Sequence, residues 1–264
     1  MGVLLLQSRD DGGRLYIVST GPGNLLHMTS RALNALGEAE CVIGNKFYID
    51  LVMPMLAGKE VVLSSMGQEV DRAKKALALA EDQIVAMVSG GDAGIYGMAS
   101  IVLEVAERSG ATVPVEVIPG ITAAVSAASR LGSPLSGDYV TMSLSDLLTP
   151  WEEIERRLDL AFQMRVPVVL YNPRSRGRPN NLAAAVAIAR RHLSDATPVG
   201  VVRNAYREGE EQLITTLGEF EDHFASVDMH STVFIGGEET RIWRDEGDER
   251  GIITPRGYHR KYVY

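Results

Sequence analysis

Ile84-Val85-Ala86-Met87-Val88-Ser89-Gly90-Gly91-Asp92-Ala93-Gly94-Ile95-Tyr96-Gly97 carries more of the fold than any other stretch of this chain. Residues 84–88 are a short apolar run, the pattern of a strand buried on both faces. Residues 98–106 follow with helical character. Four glycines and one carboxylate therefore sit where a parallel strand hands over to a helix. In open α/β sheets that carboxyl edge is where ligands bind. Glycine lets backbone approach a ligand closely and tolerates positive φ. Asp92 can accept hydrogen bonds from ribose hydroxyls or an amino group and would repel a phosphate. The stretch points to a small polar cofactor that is not a nucleoside triphosphate.

Outward from there, the first half alternates strands and helices. Strands are expected at 15–19, 41–43, 59–63, 84–88 and 115–118. Helices are expected at 29–36, with Gly37 as a stop, and at 68–80, with Val70, Ala73, Leu77 and Ala80 on one side. Such alternation implies βα units and a mostly parallel sheet. Pro119-Gly120 breaks the chain, 122–131 is rich in small residues and expected to be helical, and 132–138 is punctuated like a connection, which places the boundary between about 120 and 137. The second half predicts strands at 139–144, 166–171, 199–203, 210–216 and 231–235. Helices are expected at 151–162, with Pro150 at the first helical position, and at 181–192. Short links between the later strands predict some antiparallel pairing. The fold class is two α/β domains, 14–125 and 138–240, joined by 126–137. The first sheet is mostly parallel and the second mixed. Residues 1–13 read as a lead-in and 241–264 as a tail.

The totals restrict function. Length 264 allows one large domain or two modest ones. A net charge of −8 argues against a general nucleic-acid or anionic-membrane binder. Cys41 is the one cysteine, so no intrachain disulfide forms and no zinc site can rest on several thiolates. It reads as a small core residue in a protein of a reducing, cytoplasmic compartment. No apolar run approaches the roughly 20 residues of a membrane span. Residues 1–7 are apolar but carry no basic leader or cleavage signal, so no signal peptide is expected. The five histidines show no metal-ligand spacing, and no metal is expected.

A second glycine loop, Gly21-Pro22-Gly23-Asn24, follows the first strand. It is not a dinucleotide fingerprint, because Leu26 stands where the third glycine would, and no Gly-Lys-Ser/Thr follows to make a phosphate loop. Two such loops at one sheet edge suggest a shared cleft. Pro119-Gly120-Ile121-Thr122-Ala123-Ala124 and Tyr171-Asn172-Pro173 each follow an apolar strand too. Each is either a plain turn or a ligand contact.

Taken together with Ser231-Thr232-Val233-Phe234-Ile235-Gly236, these motifs resemble the tetrapyrrole methylases, the S-adenosylmethionine-dependent family of cobalamin and sirohaem synthesis. The resemblance runs from about Leu15 to Tyr258. Gly94-Ile95-Tyr96-Gly97-Met98-Ala99, the stretch Ser143-Leu144-Ser145-Asp146-Leu147-Leu148-Thr149-Pro150-Trp151 and Thr254-Pro255-Arg256-Gly257-Tyr258 resemble the branch that methylates carbon 17 of a precorrin-3-type ring during its contraction. The resemblance implies two domains with the cofactor in the cleft between them, a homodimer, and precorrin-3B or cobalt-factor III as substrate. Carried over by motif, S-adenosylmethionine (leaving as S-adenosylhomocysteine) would touch Pro22, Gly91, Asp92, Ala93, Ile95, Thr122, Ala123, Tyr171, Asn172, Asn204, Ala205 and Thr232. Gly21 and Gly23 would face the substrate. Two departures stand out: Ala93 replaces the family's usual proline, and Asn24 replaces an acidic residue after Gly-Pro-Gly.

Methyl transfer from sulfonium to carbon is an in-line displacement, so the enzyme chiefly aligns donor and acceptor. The substrate is fringed with carboxylates, which Arg174, Arg176 and Arg178 would bind bidentately unless they are only a solvated loop. A second basic cluster, Arg256, His259, Arg260 and Lys261, reads more readily as surface. Ring contraction needs proton transfers, for which His27 is the candidate catalytic group, a packing role being its alternative. Two other readings remain. One keeps the fold and changes the acceptor; the other is a non-catalytic module that binds the cofactor without turnover.

Overall fold

A computed structural model describes residues 12–263. The apolar patch 1–7 and most of the 1–13 lead-in lie outside the described residues. The chain divides into two compact units, Met1–Thr122 and Ala123–Tyr264.

The first unit runs β1 (Arg14–Ser19), α1 (Ser30–Glu38), β2 (Cys41–Asn45), α2 (Lys46–Val52), β3 (Glu60–Ser64), α3 (Glu69–Leu79), β4 (Ile84–Ser89), α4 (Ala99–Ser109) and β5 (Val115–Ile118). Its sheet has the order β3-β2-β4-β1-β5, with every pairing parallel. Both faces are covered, which is why these strands read as unbroken apolar runs. Leu15, Ile17, Cys41, Ile43, Val85 and Met87 pack against α3 and α4. Their alternate neighbours Tyr16, Val18, Val42, Ala86 and Val88 pack against α1 and α2. Cys41 is fully buried, and burial pushes its thiol up to about 11.

Two local expectations fail here. Helix α1 runs through Gly37 to Glu38, because the Ala39 N–H still reaches the Ala35 carbonyl. Gly37 therefore lowers helix propensity by about 1 kcal/mol without stopping the helix. Val70 is 44% exposed, and Arg72 is buried instead. Its guanidinium donates to Ser64 Oγ at 2.6 Å and lies 3.5 Å from Met98 Sδ.

The second unit runs α5 (Ala123–Leu131), β6 (Gly132–Ser133), β7 (Val140–Ser143), α6 (Trp151–Gln163), β8 (Val168–Tyr171), α7 (Asn181–Ala189), β9 (Pro198–Arg203), β10 (Glu211–Thr216), β11 (Ser231–Ile235), β12 (Arg241–Asp245) and β13 (Asp248–Ile253). The main sheet has the order β10-β9-β11-β8-β7. Only β7 and β8 pair in parallel; the other three pairings are antiparallel, as the short links predicted. One face packs on α6 and α7 through Val168, Leu170, Val199, Val201, Val233 and Ile235. The other packs on α5 through Val169, Val202 and Phe234.

The segment 126–137, expected to join two domains, is part of the second unit. Its first six residues belong to α5, and Gly132–Ser133 pairs with β13. The expected tail carries the β12–β13 hairpin. Pro150 is the N-cap of α6 with ψ 142°, and Trp151 is the first helical residue. Glu152 and Glu153 occupy the first turn, where they favour the helix dipole. No helix among the described residues is long and apolar enough to cross a membrane.

Candidate active site

Strands β4, β1 and β5 are neighbours, so their carboxyl ends deliver the three glycine motifs side by side. The loops are laced together by backbone. Gly21 N–H donates to the Gly91 carbonyl and Gly91 N–H to the Gly21 carbonyl, both at 3.0 Å. Both glycines need positive φ, +62° and +65°, a conformation that L side chains rarely adopt. Gly120 approaches closely from the third strand: a Cβ there would lie 2.7 Å from the Gly91 carbonyl oxygen.

Asp92 ties two of these loops. Its Oδ1 accepts from Gly94 N–H at 2.8 Å and its Oδ2 from Gly120 N–H at 2.9 Å. Each carboxylate oxygen has two acceptor positions, so a ligand donor can still be taken. Two serines not singled out from the sequence complete the lacing. Ser19 Oγ accepts from Ala93 N–H at 2.8 Å, and Ser89 Oγ from Met98 N–H at 3.3 Å. Their position as the last residue of a strand before a glycine loop was the available signal. Buried Arg72 lies under the same turn at Met98, at the N-cap of α4. Ile95 and Tyr96 protrude from the loop, Tyr96 with φ 52°.

On the first loop, Pro22 is buried and Gly23 half-buried. Asn24 caps the short turn Leu25–His27, accepting from Leu26 N–H at 2.8 Å. An aspartate would cap this turn equally well, so the cap preserves the local shape without the family's charge. His27 closes the turn and is half-buried. Thr122 is buried just beyond Gly120.

In the second unit the expected site residues also gather at one sheet edge. Tyr171 ends β8 and Arg203 ends β9, while Ser231 opens the antiparallel β11 that lies between them. Asn172 and Asn204, just past those strand ends, both have positive φ, 50° and 51°. Non-glycine residues held there mark local strain, which collects at functional sites. Asn172 Nδ2 donates to Ser143 Oγ at 3.0 Å. Tyr171 OH accepts from Ala124 N–H at 2.7 Å, beside Ala123 at the start of α5. Thr232 is buried on β11, opposite Val202.

The arginine loop divides in role. Arg174 donates to the Phe224 carbonyl at 2.6 Å and so anchors the loop. Arg178 lies 3.9 Å from an Asp146 carboxylate oxygen. Arg176 is exposed, and no partner holds it among the described residues. Arg203 pairs with Asp228 at 2.9 Å and is structural. Burial pushes the Asp228 carboxyl up, but Arg203 and the His230 N–H outweigh it, leaving Asp228 below its ordinary value.

The sequence profile of the tetrapyrrole (corrin/porphyrin) methylases matches residues 14–221. The cobalamin biosynthesis protein CbiHC of Archaeoglobus fulgidus is 44% identical over 98% of this chain. The chain spans about half of that protein, 55% of its length. A Salmonella typhimurium protein named probable cobalt-factor III C(17)-methyltransferase is 44% identical over 92% of this chain and 99% of its own. Among solved structures, the methyltransferase CobJ superposes with a TM-score of 0.84 at 30% identity, over 92% of this chain and 100% of that one.

Proposed function

Since this chain belongs to the tetrapyrrole (corrin/porphyrin) methylases, we propose that it transfers a methyl group from S-adenosylmethionine to carbon 17 of a precorrin-3-type ring as that ring contracts. The observation that carries this reading is the laced edge of the first sheet, where three glycine loops and Asp92 present bare backbone and a carboxylate. It fits the donor. S-adenosylmethionine offers hydroxyl and amino donors and no phosphate, and the positive φ at Gly21 and Gly91 with the close approach of Gly120 keeps the loops free of side chains there. In this reading Pro22, Gly91, Asp92, Ala93, Ile95 and Thr122 take the donor in the first unit. Ala123, Tyr171, Asn172, Asn204, Ala205 and Thr232 are its candidates in the second.

When bound, the donor supplies an electrophilic methyl group on a positively charged sulfur. The chain's own part is alignment, since a held geometry removes most of the entropic barrier. Gly21 and Gly23 keep the first loop small beside the acceptor. Arg176, with its guanidinium uncommitted, takes an acceptor carboxylate, while Arg174 and Arg178 shape its loop. His27 serves the proton transfers of contraction. The Salmonella relative's name favours cobalt-factor III over precorrin-3B as acceptor. The same reading carries a homodimer in the cytoplasm, the former tested by light scattering.

Incubation of the chain with labelled methyl donor and either precorrin-3B or cobalt-factor III, read by mass spectrometry, tests the activity. The expected result is one labelled methyl on the ring. Binding of S-adenosylhomocysteine without transfer to either ring would reduce the chain to a non-catalytic module.

A further inference from the structure

Beyond β9 the chain turns through Asn204 and Tyr206, with φ 51° and 61°. That region is uncommon for residues with a side chain, and the conformation persists only where the surroundings over-determine it. Glu210 does so. Its Oε2 accepts from Tyr206 N–H at 2.6 Å. Its Oε1 accepts from Arg130 Nε at 2.7 Å and from Gln212 Nε2 at 3.2 Å. The Glu210 side chain is only 18% exposed. Arg130 stands over the Tyr206 ring, 5.1 Å from its centroid, and Ser129 Oγ lies 2.7 Å from the Tyr206 hydroxyl. Ser129 and Arg130 lie near the C-terminal end of α5. The other end of that helix donates Ala124 N–H to Tyr171 OH. Between the two ends α5 is packed on Val169, Val202 and Phe234. One helix, buried along one face, thus links the end of β8 at Tyr171 to the turn at Tyr206 that follows Asn204.

The geometry points to Glu210, clamped by Arg130, as a positioning residue for the methyl donor: it holds the Asn204–Ala205 backbone in the shape that receives the donor. This rests on the reading that Asn204 and Ala205 belong to the donor seat. Glu210 itself touches neither reactant. Its loss therefore weakens donor binding and leaves acceptor binding and turnover at saturating donor unchanged.

The test uses the full chain and isothermal titration with S-adenosylhomocysteine, together with KM for each substrate and kcat. Glu210→Ala should lower S-adenosylhomocysteine affinity by about tenfold or more, the loss of one charge-assisted hydrogen bond. It should raise the donor KM in step, with acceptor KM and kcat within about twofold. Glu210→Gln keeps the shape and one neutral acceptor for Tyr206 N–H, so it should recover part of the affinity. It also decides the question should Glu210→Ala fail to fold. Ala205→Leu separates the two ideas. If Ala205→Leu leaves affinity unchanged, the donor-seat reading fails. If Ala205→Leu weakens binding while both Glu210 variants bind like the parent, the positioning role fails. A fall in kcat with donor KM unchanged also overturns it.

Discussion

Asp92 bonds two loops at once, and its charge matters because both donors are backbone N–H groups. Asp92→Ala leaves both short of an acceptor and should lower stability by about 2–4 kcal/mol in urea unfolding, with weaker S-adenosylhomocysteine binding. Asp92→Asn has one acceptor oxygen and should fall between the two. An Asn variant as stable and as tight as the parent would show that the charge is not what holds the loops. Gly120 has a steric role: an added Cβ would meet Ser19 Cβ at 2.5 Å and the Gly91 carbonyl at 2.7 Å, and backbone cannot rotate away. Gly120→Ala should cost about 1–3 kcal/mol and weaken donor-product binding; unchanged values in both would mean the loops do not pack this closely in solution. These residues were legible in the sequence because strand-then-glycine is a local pattern. Glu210 was not, since its partner Arg130 lies 80 positions away. Arg72 was not, because a charged residue on an amphipathic helix reads as surface until the surrounding packing is known.

At the scale of elements, the loop 174–178 holds one anchoring arginine and one uncommitted one. Arg176→Ala should weaken tetrapyrrole binding, followed by absorbance titration, and leave S-adenosylhomocysteine affinity alone. Arg174→Ala should instead loosen the loop, seen as faster limited proteolysis within it, because the Phe224 carbonyl loses its charged donor. Equal and normal acceptor affinity in both variants would make the loop mere surface. The long periodic elements were readable from spacing alone, α3 and α6 to within about two residues at each end. Helix α2 was not, because its seven residues follow β2 directly through the Asn45 cap, without a turn signal. The β12–β13 hairpin was not either: its strands are largely exposed and polar, and a bulge near Trp243 breaks the alternation.

For the whole molecule, the charge balance sets how folding responds to acid. Burial raises the Glu210 carboxyl, but Tyr206 N–H, Gln212 and Arg130 outweigh it, so Glu210 like Asp228 sits below its ordinary value. The unfolded chain, with carboxyls near pH 4, then takes up protons first as pH falls. Their contribution is full above about pH 5 and is lost as pH drops through the lower folded values. Urea unfolding between pH 6 and pH 3 should show this slope, and Glu210→Gln should flatten it; an equal slope would remove Glu210 from the balance. The two-unit α/β architecture was legible because strand and helix periodicity differ. Gly132-Ser133-Pro134 looks like a connection in the sequence, because the pairing of Gly132–Ser133 with β13 is set by Ile252 and Ile253, about 120 positions away. The buried Cys41 has a further use. It is the chain's one thiol and lies in the first unit, while both tryptophans, Trp151 and Trp243, lie in the second. A raised thiol pKa and full burial make alkylation wait for the first unit to open, whereas indole emission follows the second. The native sequence thus carries separate reporters for its halves, and comparing their time courses reveals whether the protein melts in one cooperative step or two.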